Sequence, residues 1–105
     1  MFLYAFNVHI HASLNSAPGE LRPGPLAVSY DAAAEILATL PRMFLEPDGS
    51  FVWTGESPQG AWQVDGLLVD QGRSLAHVEA AGTCPANEFD QLLAALGWPA
   101  APLVF

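Results

Sequence analysis

The chain has 105 residues, of which 51% are hydrophobic and 13% charged, a composition that argues against disorder and predicts a single domain over residues 1–105. Its net charge is −8, with eleven acidic residues against three basic ones. So few cations argue against nucleic acid and anionic membrane surfaces as partners, and no apolar run is long enough to span a bilayer.

A single cysteine, Cys84, excludes an internal disulfide framework. The first residues lack the basic start and the uninterrupted apolar run of a secretory signal. Together these features predict a soluble, cytoplasmic protein.

The first predicted element is a strand over residues 2–11. Apolar side chains alternate with small or polar ones, so Phe6 and Val8 share one face while His9 and His11 share the other. Alternation of this kind is typical of a strand with one face buried against a core. We therefore predict that both imidazoles point away from the core.

Residues 12–28 are rich in proline and glycine and predict a loop, which is a candidate lid over a small-molecule pocket. The next segment predicts a helix that Ser29 or Asp31 caps and that runs to Leu40, before Pro41. Its predicted buried face comprises Ala33, Ile36, Leu37 and Leu40.

Two β-hairpins are predicted in the middle of the chain. The first turns at Pro47-Asp48-Gly49 between short apolar strands. The second joins strands at about 61–69 and about 74–81 through Asp70-Gln71-Gly72. Both hairpins predict antiparallel pairing of consecutive strands.

A second helix is predicted to begin at Pro85 and to end at Gly97, with Trp98 packed back on its last turn. Its predicted core-facing stripe comprises Phe89, Leu92, Leu93 and Leu96. Residues 99–105 form an apolar tail whose last three residues favour burial. The tail is interpreted as an edge strand, a contact with a second copy, or a chain that continues.

These elements follow one another in the order β-α-β-β-β-β-α. Runs of strands joined by tight turns predict an α+β fold, in which two helices pack on one face of an antiparallel sheet. The sheet is expected to contain four to five strands.

The histidines are the first candidate site. His9 and His11 leave the first strand on the same side, and His77 and Glu79 repeat that spacing on another predicted strand. If these strands are neighbours, three imidazoles and a carboxylate converge, which suits zinc or another transition metal. The alternative is the ordinary polar surface of a half-buried sheet, because the spacing matches no specific zinc signature.

Cys84 is the second candidate, as a reactive thiol. It precedes a predicted helix start, where unpaired amides and the helix dipole lower the pKa of a thiol. The alternative is a small buried residue or a simple cap. The chain contains no CxxC, GxGxxG or GxSxG motif.

Two main functions follow from these features. The first is a non-enzymatic interaction module that binds a protein partner or a second copy of itself, which the apolar excess and the missing catalytic signature favour. The alternative is a metal-binding protein or small metal-dependent enzyme that uses His9, His11, His77 and Glu79. An inhibitor-like protein that binds a cationic partner by complementary charge is a further hypothesis.

Overall fold

A computed structural model describes residues 3–14, 22–100 and 102–104 of the chain. These residues form eight strands and two helices. The strands are β1 (Leu3–Leu14), β2 (Arg22–Gly24), β3 (Leu26–Ser29), β4 (Met43–Leu45), β5 (Ser50–Ser57), β6 (Gly60–Gln71), β7 (Ser74–Pro85) and β8 (Leu103–Val104). The helices are α1 (Tyr30–Ala38) and α2 (Ala86–Ala95).

The strands form one antiparallel sheet in the order β2-β1-β7-β6-β5-β4, with β3 beside β7 and β8 beside β1. The α+β class, the antiparallel sheet and the two helices are as predicted. The predicted count of four to five strands and the predicted order β-α-β-β-β-β-α are wrong, because eight strands join the sheet in the described residues, with β2 and β3 before the first helix and β8 after the second. None of the described helices has the length and apolar character that crossing a bilayer requires.

The core lies on one face of the sheet. Val78 at the centre of β7 faces Ile10 of β1 on one side and Leu68 of β6 on the other, and all three are at most 1% exposed. Buried residues of both helices belong to the same cluster. Because Phe6 and Val8 pack against this cluster while His9 is exposed, the predicted sides of the first strand are confirmed.

Helix α1 begins as predicted and ends earlier. The hydroxyl of Ser29 caps it by accepting a hydrogen bond from the amide of Ala32 at 3.1 Å. The helix ends at Ala38, so Leu40 lies beyond it and packs only partly against the core. Ile36 was expected inside but is 45% exposed, since a helix of nine residues buries only a narrow stripe.

Helix α2 ends as predicted and begins one residue later. Pro85 is the residue before the helix, not its first residue. At the other end, Gly97 has a φ of 102°, which only glycine adopts readily. The amide of Trp98 then donates to the carbonyl of Leu93 at 3.1 Å, which closes the helix in a Schellman motif.

The loop predicted over residues 12–28 needs correction at both ends. Strand β1 continues to Leu14, and β2 and β3 lie within the Pro/Gly-rich segment. Pro23 is tolerated in β2 because this strand has three residues and lies at the edge of the sheet, where a missing amide need not break the ladder. Residues 15–21 of the predicted loop lie outside the described residues.

Part of the apolar tail forms an edge strand, which was one of its predicted interpretations. In β8, Leu103 pairs with Ala12 and Val104 pairs with His11. Ala12 also pairs with Gly24 of β2, so the end of β1 has a neighbour on each side.

Both predicted hairpins are present, but the second turns at Gly72 and Arg73, because Asp70 and Gln71 belong to β6. A third hairpin joins β5 to β6 through Pro58 and Gln59. The hairpin of β6 and β7 contains a bulge. His77 pairs with Val69 while Leu75 pairs with Asp70, which leaves Ala76 as the extra residue. The bulge lets Leu75 and Val78, three residues apart, both point into the core.

Candidate metal centre

Strands β1 and β7 bring the candidate ligands together. They are antiparallel neighbours, and their register places His9 directly opposite Glu79. His77 lies two residues from Glu79 on β7, so its side chain leaves the same face of the sheet. The adjacency on which the predicted histidine cluster depends is therefore present.

These side chains lie on the face of the sheet opposite the core, which we call the open face. His9 is exposed, and the side chains of His77 and Glu79 are 21% and 42% exposed. The site can therefore exchange ligands with solvent while its backbone is held by a continuous ladder of strands.

Three side chains form a compact set of donors. Each of His9, His77 and Glu79 offers one ligand atom, and these atoms lie within 4.8 Å of one another. His77 Nε2 and Glu79 Oε2 are 3.1 Å apart, and the rings of His9 and His77 stack with centroids 5.3 Å apart. Tetrahedral ligands about 2.1 Å from zinc are about 3.4 Å apart, so donor atoms that lie as far as 4.8 Å apart have to draw together by about 1.4 Å to enclose an ion.

His11 lies beside this set and is not one of the three donors within 4.8 Å. Its ring stacks on His77, with centroids 5.0 Å apart. Burial lowers the pKa of His11, and the charges of His77 and His9 lower it further. The lowered pKa favours the neutral form of the His11 ring.

A shallow depression adjoins the donors on the open face. It is lined by His9 and Glu79 together with Asn7, Asp65, Leu67 and Ala81. The side-chain amide of Gln63 donates through Nε2 to both carboxylate oxygens of Asp65, at 3.0 and 3.3 Å. Asp65 was not predicted as a site residue. Alternation along β6 could have placed it on the open face, but nothing in the sequence indicated which strand lies beside it.

Cys84 differs from its predicted character. Its side chain is 1% exposed, and burial raises the pKa of the thiol to about 11, with the Glu88 carboxylate adding to the effect. The expected lowering at a helix start is therefore wrong, because desolvation of the thiolate outweighs the nearby amides. Cys84 is one of the residues that line an apolar pocket with Phe6 and Phe89, whose ring centroids are 4.9 Å apart.

Another depression lies further along the open face and is lined by Arg42, Thr54, Glu56 and Thr83, among others. Its lining contains the carboxylate of Glu56 but no histidine. Across the residues that the structure describes, His9, His77 and Glu79 form the only group of three or more His, Cys, Asp or Glu side chains whose ligand atoms lie close enough together to hold a metal ion.

Comparison with known proteins identifies no relative. No protein-family model matches this chain, and neither a curated protein nor a solved structure matches it. Function is therefore inferred from the geometry of the site.

Proposed function

We propose that this protein binds a divalent transition-metal ion, zinc first among them, through His9, His77 and Glu79. The observation that carries the proposal is the position of three donor atoms within 4.8 Å of one another on two neighbouring strands. Two imidazoles and one carboxylate are the donors of many catalytic zinc sites and of non-haem iron sites.

The protein supplies three ligands, and zinc takes at least four. The remaining position faces solvent, because the donors lie on the open face. An ion held in this way acts as a Lewis acid toward water or a small ligand. A binding or catalytic role is therefore favoured over a closed structural site.

Protons compete with the ion. His77 Nε2 and Glu79 Oε2 lie within hydrogen-bonding distance at 3.1 Å, and a proton on that nitrogen must leave when the ion takes its place. Metal affinity is therefore expected to fall as the pH falls. His11 supports the site as a positioning residue, because its ring stacks against His77.

Calorimetric titration of zinc into protein prepared without a histidine tag tests the proposal. We expect one zinc ion per chain, and we expect His9→Ala and His77→Ala each to abolish binding. Glu56→Gln is the matched control, since Glu56 is an exposed carboxylate of β5 outside the donor set. Zinc binding that survives both histidine substitutions would contradict the proposal.

Self-association is a second candidate function. Phe44 of the edge strand β4 is 69% exposed, and its cross-strand partner Val52 is 37% exposed. An edge strand that carries exposed apolar side chains can pair with another strand, and a second copy offers the same edge. This supports the interaction module that the composition favours.

Sedimentation velocity over a micromolar concentration range tests this candidate. We expect a concentration-dependent dimer that Phe44→Ser weakens. Tyr4→Ser is the control, because Tyr4 is an exposed aromatic residue of β1, away from the β4 edge. A strict monomer, or equal effects of the two substitutions, would rule the candidate out.

A further inference from the structure

The depression beside the donors is small. Its volume is about 240 Å³, below the roughly 300–1,000 Å³ of pockets for drug-sized ligands. Because His9 and Glu79 form part of its lining, a ligand in the depression reaches the open position of an ion held by these residues. The size favours a molecule of only a few heavy atoms.

The floor of the depression is a trough over Ala81. In the register of the sheet, Ala81 lies between Asn7 of β1 and Asp65 of β6. These two polar residues stand two strand spacings apart, about 10 Å, with only a methyl group between them. A small ligand can therefore lie over Ala81 and contact polar atoms on both sides.

Once an ion is bound, the two ends of the depression carry opposite charges. The first end lies at His9 and Glu79, and the second lies at Asp65. A divalent ion held by Glu79 and two neutral imidazoles leaves one net positive charge at the first end. Asp65 supplies a negative charge at the second end, and it has no ion-pair partner in the described part of the chain. Apart from His9, none of the lining residues is basic.

On the basis of the proposed metal site, we infer that the ligand is a small amino acid in which a short carbon chain separates carboxylate from ammonium. The carboxylate binds the ion at its open position. The ammonium donates to the carboxylate of Asp65 and to the side-chain oxygen of Asn7.

The spacing of the sheet selects this class of ligand. Glu79 and Asp65 are diagonal neighbours on β7 and β6, and residues in this relationship lie about 7–8 Å apart, with a somewhat shorter distance between their Cβ atoms. An α-amino acid binds one ion with both groups as a chelate and leaves Asp65 without a cationic partner. A phosphate-bearing ligand would place negative charge against Asp65.

The test compares paired probes on zinc-loaded protein. β-Alanine is compared with propionate, and 4-aminobutyrate with butyrate, so that each pair differs only in the amine. Calorimetry gives the dissociation constants, and zinc content is measured for every variant before titration. Titrations of the metal-free protein accompany them.

We expect the amine-bearing probe of at least one pair to bind about fivefold more tightly, the upper range for an exposed ion pair. Asp65→Asn should remove this preference, and Glu56→Gln should retain it. Equal binding within both pairs overturns the inference, and so does equal binding to metal-free protein. Loss of zinc from Asp65→Asn also overturns it, by making Asp65 a metal ligand. If the unaltered protein binds no zinc, the proposed function itself fails.

Discussion

His9 and Glu79 are register partners across β1 and β7, so their side chains leave the sheet side by side. The hydrogen-bonded ladder between the strands maintains this relationship. No loop has to close to bring the two donors together. The backbone of a site built on such a scaffold is in place before its ion arrives, so that only side chains have to move, which lowers the conformational cost of binding.

Zinc should stabilise the fold. At a free concentration about 100 times the dissociation constant, an ion that binds only the folded state adds about 2.7 kcal/mol to the free energy of unfolding. For a domain of this size, this raises Tm by about 10 °C or more. Scanning fluorimetry checks the shift, with magnesium as the control ion. A shift of the same size in His9→Ala would contradict binding at this site.

The stability of the metal-free protein should fall as the solution becomes acidic. The pKa of His11 lies below its ordinary value of 6.5 in the folded state, mainly because of burial. Below about pH 6.5 the unfolded chain takes up this proton more readily than the folded chain, so the free energy of unfolding decreases.

His11→Gln should flatten this pH dependence. Urea denaturation between about pH 7.5 and pH 5 measures it, in the presence of a chelator. The contribution of the neutral His11 ring to the free energy of unfolding is fully present near pH 7.5. It is lost toward pH 5, where the unfolded chain is protonated more readily than the folded chain. An equally steep profile in His11→Gln would assign the effect to other groups.

Cys84 should resist thiol reagents in the folded protein. The reagent attacks a thiolate, and Cys84 combines 1% exposure with a raised pKa of about 11. We expect modification at least about 100-fold slower than in the urea-unfolded chain, because reaction requires opening of the core. The reagent is an aromatic disulfide, and the absorbance of the aromatic thiol that it releases measures the modification of Cys84. Rapid modification of the folded protein would restore Cys84 as a reactive site.

Gly66→Ala should destabilise the fold. A Cβ at Gly66 would overlap the ring of Phe51, its cross-strand partner, which is 2% exposed. Overpacking of this kind costs about 1–3 kcal/mol in the free energy of unfolding. Gly72→Asn is the control, since a Cβ there meets nothing within 4 Å and its φ of 65° suits asparagine. Urea denaturation of both variants should separate them clearly.

Alternation in the first strand was sufficient to predict which side of the sheet carries His9. It could not predict the neighbour of that strand, because periodicity specifies a face and not a partner. The pairing of β1 with β7 joins segments near opposite ends of the chain. It depends on how the whole core assembles around Val78, which no local pattern reveals.

The predicted number of strands and the predicted lowering of the Cys84 pKa were wrong for the same reason. Both predictions used local chemistry, which does not include the tertiary context. Proline and glycine argued against strands in residues 12–28, yet β2 is held at a sheet edge where those residues are tolerated. The amides of a helix start argued for a thiolate at Cys84, yet the helix packs the thiol into the core.

The extra residue Ala76 shifts by one residue the alternation of inward and outward side chains along β7 in the β6–β7 hairpin. If this arm paired without the bulge and kept all its residues, strict alternation would place Leu75 and His77 on the same face of the sheet. Either the core or the metal ligands would then turn the wrong way. Changes in chain length at the tip, between Gln71 and Ser74, leave both strands in phase, which makes the tip the place where an engineer can insert residues.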